Sequence, residues 1–318
     1  MLIKSALALL VALLAVLFTG PLFIRQMKQL QYGQQIRDDG PASHTAKAGT
    51  PTMGGVLILL AAAVAAVIFS FLYPATYIIL LVMLGCGLIG FVDDYLKIVR
   101  HRSLGLRARA KLLGQVFTAL LFIAVLLLAG LYDPAVRVPF SAVELNLGYL
   151  YPLFIVLLVL AATNAVNLTD GVDGLAAGTS VLALAAFLVI AIWKGEWAVV
   201  VVSAGLIGSL LGFLIFNRHP ARLFMGDVGS LGLGGAFAAL AVVTKTELFL
   251  LIIGGIFVVE TISVIAQVIS YQLTGKRILL MSPLHHHFEL KGWSEWRVVL
   301  SFWSAAALFA LLGLIAYR

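Results

Sequence analysis

The chain has 318 residues, of which 62% are hydrophobic and only 11% are charged. A soluble globular domain has about 45–50% apolar and about 25% charged residues, so the composition excludes an ordinary soluble fold. The apolar residues lie in long blocks, which predicts one all-α membrane bundle, a single polytopic domain over residues 1–318. The net charge of +7 would suggest nucleic acid for a soluble protein. We expect no such partner, because membrane topology accounts for the basic residues.

Ten segments have the apolar character needed to cross a bilayer, which takes roughly 20 residues. Arg25 and Lys28 follow the first segment, and we expect a retained helix there rather than a cleaved signal peptide. The eighth is short and rich in glycine, which favours close helix packing. The predicted spans are about 5–24, 53–72, 76–92, 112–131, 149–166, 174–193, 197–216, 228–244, 248–270 and 298–317.

The connections between these spans differ in positive charge. When they are assigned alternately to two sides, one side holds sixteen of the 21 Lys and Arg residues and the other holds five. Basic loops remain in the cytoplasm, so the sequence predicts five cytoplasmic loops and two extracytoplasmic termini. The outer connections are short except at about 132–148, where the alternation of residues 143–147 predicts a small β-hairpin.

The inner connections hold all six histidines and nine of the fourteen acidic residues. Asp93 and Asp94 end the third span, where adjacent carboxylates repel each other and are costly near hydrocarbon unless neutralised. Mg²⁺ would neutralise them through oxygen ligands. A solvated helix end beside Lys97 is an equally good interpretation.

Two further polar groups follow the fifth and seventh spans. Residues 164–174 place Asn or Asp at every third position with glycines between them, which favours a polar pocket over a simple helix cap. Asp227 precedes the eighth span, where it could cap the helix or hold a metal that binds phosphate. Phe224 could stack on a base or anchor the chain at the membrane interface.

The run from His285 to His287 forms a fourth group. We do not expect zinc, because contiguous histidines rarely converge on one ion and no cysteine assists them. Imidazoles beside basic residues can bind phosphate or act as acid and base. The basic loops near Lys47 and from Lys97 to Lys111 fit either topology and anionic lipid or substrate phosphate.

Glu260 is an ionisable residue deep within the ninth span, and is therefore a functional candidate by default. Gln267, two turns later, is expected near the same helix face. Together, the polar groups on one face of the membrane predict a site for Mg²⁺ and a phosphorylated substrate.

Five short sequence motifs, given below in chain order, resemble those of the polyprenyl-phosphate N-acetylhexosamine-1-phosphate transferases. Within that family they are most similar to the bacterial phospho-N-acetylmuramoyl-pentapeptide transferases. The resemblance covers the whole chain and includes the ten-span layout. The strings are PTMGG at 51–55, FVDDY at 91–95, NAVNLTDGVDGL at 164–175, LFMGDVGS at 223–230 and PLHHHFE at 283–289.

This resemblance implies transfer of phospho-MurNAc-pentapeptide from its UDP carrier to undecaprenyl phosphate, giving lipid I and UMP in peptidoglycan synthesis. It implies a requirement for Mg²⁺, a location in the bacterial cytoplasmic membrane and a cytoplasmic-face active site. A homodimer and inhibition by nucleoside antibiotics are further expectations from the resemblance.

The resemblance also implies roles for individual residues. Asp227 matches the principal Mg²⁺ ligand, and Asp93 or Asp94 matches the acid/base or a second metal ligand, with His286 as a further catalytic candidate. Lys97 and Lys111 match phosphate contacts. The expected nucleoside pocket comprises Asn167, Asp170, Asp173, Asn217 and Phe224. Further expected contacts with substrate or nucleoside inhibitors are Lys47, Thr52, Gln267, His285, His286 and His287.

Two other functions remain open at this stage. A sister transferase would use UDP-GlcNAc, although the PLHHHFE string favours the muramoyl-pentapeptide branch. A transporter would use carboxylates near the middle of the membrane, yet only Glu260 lies deep in a predicted span.

Overall fold

The computed structural model describes residues 1–30, 49–99 and 105–318. Lys47 lies outside these residues. In the described ranges the chain forms α-helices and one small sheet. The helices are α1 (Leu2–Gln29), α2 (Gly55–Ser70), α3 (Pro74–Val99), α4 (Ala108–Leu128), α5 (Tyr151–Thr169), α6 (Leu175–Lys194), α7 (Trp197–Asn217), α8 (Gly226–Thr244), α9 (Leu250–Ile253), α10 (Gly255–Thr274), α11 (Leu284–Leu290) and α12 (Glu295–Tyr317).

Among the described residues, nine helices are long and apolar enough to cross a membrane, and α2 is a shorter apolar helix of 16 residues. The protein is therefore a multi-pass membrane protein of helical architecture. Large apolar side chains remain exposed along α1, α4 and α10, as expected for helix faces that contact lipid.

Helix α8 lies at the centre and packs against α2, α3 and α5. Nearly all of its residues are buried. Its glycines make this possible: a Cβ at Gly232 would overlap Leu59, and one at Gly235 would contact Cys86 of α3. The predicted close packing of the glycine-rich eighth span is thus confirmed.

The ninth predicted span, 248–270, is not one continuous helix. The chain forms the short α9, breaks at Gly254 and restarts as α10. Gly254 has a non-helical backbone conformation, and Gly255 packs so closely on the ring of Phe309 that a Cβ would overlap it. The glycine pair interrupts a segment that hydropathy alone treats as uniform.

The predicted hairpin is present. Strands β1 (Ala135–Arg137) and β2 (Glu144–Asn146) pair antiparallel, with Val136 opposite Leu145. Arg137 donates a hydrogen bond to the carbonyl oxygen of Tyr317 at 2.8 Å, so the hairpin is fixed against the end of α12.

Candidate active site

Asp93 and Asp94 lie in the last turns of α3 and have different partners. Asp93 accepts from the backbone N–H of Leu106 at 2.8 Å and lies 2.5 Å from Nζ of Lys97. Asp94 instead accepts from the backbone N–H of Val228 at 3.1 Å, in the first turn of α8. Adjacent positions on a helix point about 100° apart, which explains the different backbone partners. Lys97 nevertheless lies near both carboxylates, since its Nζ is 3.8 Å from Oδ1 of Asp94.

Asp227, in the first turn of α8, is the residue on which the neighbouring helices converge. Its Oδ2 accepts from Nζ of Lys97 at 3.0 Å and from Nζ of Lys111 at 2.6 Å. Its Oδ1 accepts from the amide of Asn167 at 2.9 Å. Lys111 also lies 3.3 Å from Asp93. We call Asp93, Asp94, Asp227, Lys97 and Lys111 the carboxylate–lysine cluster.

Glycines allow the backbones to approach each other at this cluster. A Cβ at Gly90 of α3 would overlap the backbone oxygen of Asp227. A Cβ at Gly226 would overlap the carboxylate of Asp94, and Gly226 has a positive φ of 75° that favours glycine. These glycines therefore allow α3 and the start of α8 to pack closely enough for Asp94 and Asp227 to be neighbours.

The three carboxylates of the cluster suit a divalent cation. They can each offer one oxygen, and these oxygens lie within 4.8 Å of one another. An all-oxygen donor set is the one that Mg²⁺ prefers. The side chain of Asp227 is 15% exposed whereas that of Asp93 is fully buried, so Asp227 is the more accessible carboxylate.

The Pro51–Gly55 segment reaches the same site through backbone pairing. Gly54 donates to the carbonyl of Phe224 at 2.9 Å, and Phe224 donates to the carbonyl of Pro51 at 2.8 Å. Thr52 is buried beside Gly226. The PTMGG string is thus paired with the LFMGDVGS string through the backbone of Phe224, a residue that is half-buried.

Asn167 and Asp170 lie at the end of α5, next to the cluster. The amide of Asn167 bridges Asp227 and the hydroxyl of Ser230, at 2.9 Å each. Burial raises the pKa of Asp170 well above its ordinary value, and the negative charges of Asp227, Asp94 and Asp173 raise it further.

Asp173 and Asn217 are buried and hold the neighbouring backbone. Asn217 accepts from the N–H of Gly174 and donates to the carbonyl of Leu223, both at 3.0 Å. Asp173 accepts from the N–H of Ala221 at 3.0 Å, and the same oxygen lies 3.1 Å from Nδ1 of His219. These contacts fix the turn before α6 against the segment that leads to Phe224.

The histidine run forms α11, which the sequence did not predict. Nδ1 of His286 lies 2.7 Å from Oε2 of Glu289, and Nδ1 of His287 accepts from the N–H of Leu280 at 3.1 Å. His285 is fully buried and lies 3.0 Å from Glu260; its predicted contact with substrate stays a prediction.

Gln267 is bonded to the segment before α11. Its carbonyl oxygen accepts from the N–H groups of Ile278 and Leu279, and its amide donates to the carbonyl of Leu279. In the described part of the chain, no hydrogen bond joins Gln267 or His287 to the carboxylate–lysine cluster. Their predicted contacts with substrate stay predictions.

Sequence reasoning did not single out three polar contacts in this region. The hydroxyl of Ser230 accepts from the Asn167 amide that also donates to Asp227. Glu289 pairs with His286, and Glu295 lies 3.2 Å from His219. Ser230 lies one turn after Asp227 on α8, and that helical spacing was the available signal. The other two contacts depend on loop folding that no periodicity encodes.

Comparison with known proteins identifies close relatives. Residues 76–245 match the model described as Glycosyl transferase family 4, and residues 47–59 match the Phospho-N-acetylmuramoyl-pentapeptide-transferase signature 1. Proteins named Phospho-N-acetylmuramoyl-pentapeptide-transferase are similar along most of the chain. Examples are the protein of a Geobacillus species, 49% identical over 97% of this chain and 96% of its own length, and that of Shouchella clausii, 50% identical over 96% and 95%.

These matches agree with the family resemblance that the five strings predicted, and they span the helices that build the carboxylate–lysine cluster. Identity near one half over nearly the full length of both chains is far above the level that the shared composition of membrane helices would produce. The chain belongs to the phospho-N-acetylmuramoyl-pentapeptide-transferase family, within glycosyl transferase family 4.

Proposed function

We propose that this protein transfers phospho-MurNAc-pentapeptide from UDP-MurNAc-pentapeptide to undecaprenyl phosphate, giving lipid I and UMP in the first membrane step of peptidoglycan synthesis. The observation that carries the proposal is the carboxylate–lysine cluster, where two ammonium groups converge on Asp227. The name of the relatives supports the choice of donor and acceptor.

Phosphoryl transfer depends mainly on positioning and on stabilisation of the phosphate charge. Lys97 and Lys111 supply positive charge at 3.0 Å and 2.6 Å from Asp227. We assign them to the diphosphate of the donor and to the leaving UMP. Because both side chains are partly buried, their charge is screened less than it would be in water.

Mg²⁺ is part of the proposal, with Asp227 as principal ligand and Asp93 and Asp94 as further oxygen donors. A bound ion would neutralise phosphate oxygens as a Lewis acid. The support is the donor set described above and the greater exposure of Asp227.

For the proton transfer we propose direct attack by the lipid phosphate, with Asp93 as the base. Asp93 is preferred because it lies beside both of the lysines assigned to phosphate, 3.3 Å from Lys111, whereas Asp94 lies 3.8 Å from Lys97. A covalent aspartyl-phosphate is the alternative route. Donor labelled with ³²P in its β-phosphate distinguishes them: a labelled protein formed without lipid acceptor would refute direct attack.

The nucleoside pocket is proposed beside the cluster, where Asp170, Asp173, Asn217 and Phe224 follow the ends of α5 and α7. Phe224 is an aromatic residue that is only half-buried, and we assign it to stacking on uracil. His286, held by Glu289, is proposed as a further acid or base. Competition between a nucleoside antibiotic and UMP for the purified protein would test this pocket, and simultaneous binding of both would contradict it.

We also propose ten crossings in the bacterial cytoplasmic membrane, with both termini outside and the cluster at the cytoplasmic face. The asymmetry of Lys and Arg supports this orientation. Cys86 is the only cysteine and is buried, so single introduced thiols can be labelled selectively. An impermeant maleimide should label Glu144→Cys in intact cells and Lys291→Cys only after permeabilisation, and the reverse result would overturn the orientation.

The function is tested by UMP release from protein purified in detergent. UMP is expected with UDP-MurNAc-pentapeptide only when undecaprenyl phosphate and Mg²⁺ are both present. Equal release from UDP-GlcNAc would favour the sister transferase. Transport of substrate in liposomes without any UMP release would favour a transporter, and both of these results would reject the proposal.

A further inference from the structure

Glu260 and His285 form a buried pair that none of the assigned catalytic steps uses. Oε1 of Glu260 lies 3.0 Å from Nδ1 of His285, and Oε2 accepts from the backbone N–H of Leu284 at 2.7 Å. Both side chains are fully buried. A buried carboxylate is costly unless its oxygens are hydrogen-bonded, so this pair is stable only while both contacts are made.

The pair joins α11 to α10. Helix α11 has only seven residues, and a helix this short is marginal without tertiary contacts. The two acceptors of Glu260 hold the first two residues of α11, Leu284 and His285. Together with the packing of Leu284 and Phe288 against α12, Glu260 therefore helps to fix the position of α11, and with it His286, on the bundle.

The opposite edge of the His285 ring lies against Gly171. Its Nε2 is buried and has no hydrogen-bond partner among the described residues. A Cβ at Gly171 would overlap this nitrogen. When Nδ1 carries the proton, it donates to Glu260 and holds the ring in one orientation. In this orientation the ring packs against Gly171, which lies between Asp170 and Asp173.

We propose that Glu260 is a positioning residue for nucleotide binding. It orients His285, and the His285 ring supports Gly171 and thereby the conformation of the segment from Asp170 to Asp173. This inference rests on the proposed function, because that function assigns the segment to the nucleoside pocket. It gives His285 an indirect role in place of the predicted contact with substrate.

The first test is Glu260→Gln, measured by UMP binding to the full-length protein in detergent. Glutamine keeps the shape but replaces one carboxylate oxygen with an NH₂ donor, so the two positions that now accept from His285 and Leu284 can no longer both be acceptors. Loss of the support under Gly171 should weaken nucleotide binding by roughly the value of one hydrogen bond, so we expect the Kd for UMP to rise by about 10-fold. The Mg²⁺ concentration for half-maximal activity should not change, because the cluster is untouched.

Glu247→Gln is the matched control. Glu247 is also buried, but it lies in the turn between α8 and α9, where it accepts from the hydroxyl of Tyr151. This variant should lower thermal stability and leave the Kd for UMP unchanged. If Glu260→Gln behaves in the same way, with wild-type UMP affinity, Glu260 is merely structural and the inference is wrong.

A second test addresses the contact with Gly171 directly. Gly171→Ala should lower the thermal stability because its Cβ overlaps the His285 ring, and the added His285→Ala change should remove that penalty. The double variant should thus be no less stable than His285→Ala alone. If the double variant lost as much thermal stability as the two single variants together, the contact between Gly171 and His285 would be refuted. This result does not depend on UMP binding. Absence of UMP binding in the wild type would count against the proposed function instead.

Discussion

At the scale of residues, the motifs identified the polar side chains that come together in the structure. They were a poorer guide to the contacts that each of these side chains makes. Helix geometry allowed separate roles for Asp93 and Asp94, and the structure shows separate backbone partners, although Lys97 lies near both. The sequence could not tell which carboxylate faces Lys111, because that depends on how α3 packs against α4. Asn217 and Gln267 are amides bonded to backbone, and a motif cannot distinguish such a contact from binding of a substrate.

The raised pKa of Asp170 predicts a dependence of stability on pH. Burial and three neighbouring carboxylates disfavour its charged form in the folded state, so the charged residue costs stability above its folded pKa. Asp170→Asn should therefore raise the thermal stability of metal-free protein at neutral and alkaline pH.

This gain should diminish as the pH falls through the raised pKa of Asp170, because the wild-type carboxyl then becomes neutral as well. Thermal unfolding in detergent across a pH series measures it. A variant that is less stable than the wild type at every pH would show that the charge of Asp170 is compensated in the folded protein.

At the scale of elements, long apolar helices were predicted well and interruptions were not. The glycines of the eighth span indicated close packing, and α8 is indeed buried among its neighbours. Hydropathy missed the break at Gly254, because glycine changes backbone conformation without changing apolar character. It also missed α11, which is too short and too polar for a periodic signal.

The crossing of α3 and α8 predicts the effect of one added methyl group. Gly90→Ala places a Cβ against the backbone oxygen of Asp227, so the helices must separate at the cluster. Overpacking of this kind costs about 1–3 kcal/mol, and we expect loss of both thermal stability and UMP release.

Gly205→Ala is the matched control, since its Cβ would lie 3.3 Å from the nearest atom, the carbonyl oxygen of Ala62, well away from the cluster. It should stay close to the wild type in UMP release. Full activity of Gly90→Ala would show that the separation of α3 and α8 does not determine the position of Asp227.

At the scale of the whole molecule, the architecture brings together residues that are far apart in sequence. Asp93, Lys111, Asn167 and Asp227 come from four different helices, yet all lie within hydrogen-bonding or ion-pair distance of a neighbour in the cluster. The charge distribution predicted that they share one side of the membrane. It could not predict that they meet, because sidedness fixes depth in the bilayer and not the lateral order of helices.

The decisive measurement is the rate of UMP release by Asp227→Asn, with Asp133→Asn as the matched control. Asp133 is a largely exposed acid next to the hairpin. Because Asp227 binds both lysines and Asn167, its substitution should reduce the rate at least ~100-fold, with normal membrane insertion and unchanged activity in the control. Wild-type turnover by Asp227→Asn would contradict the assignment of the carboxylate–lysine cluster as the catalytic centre.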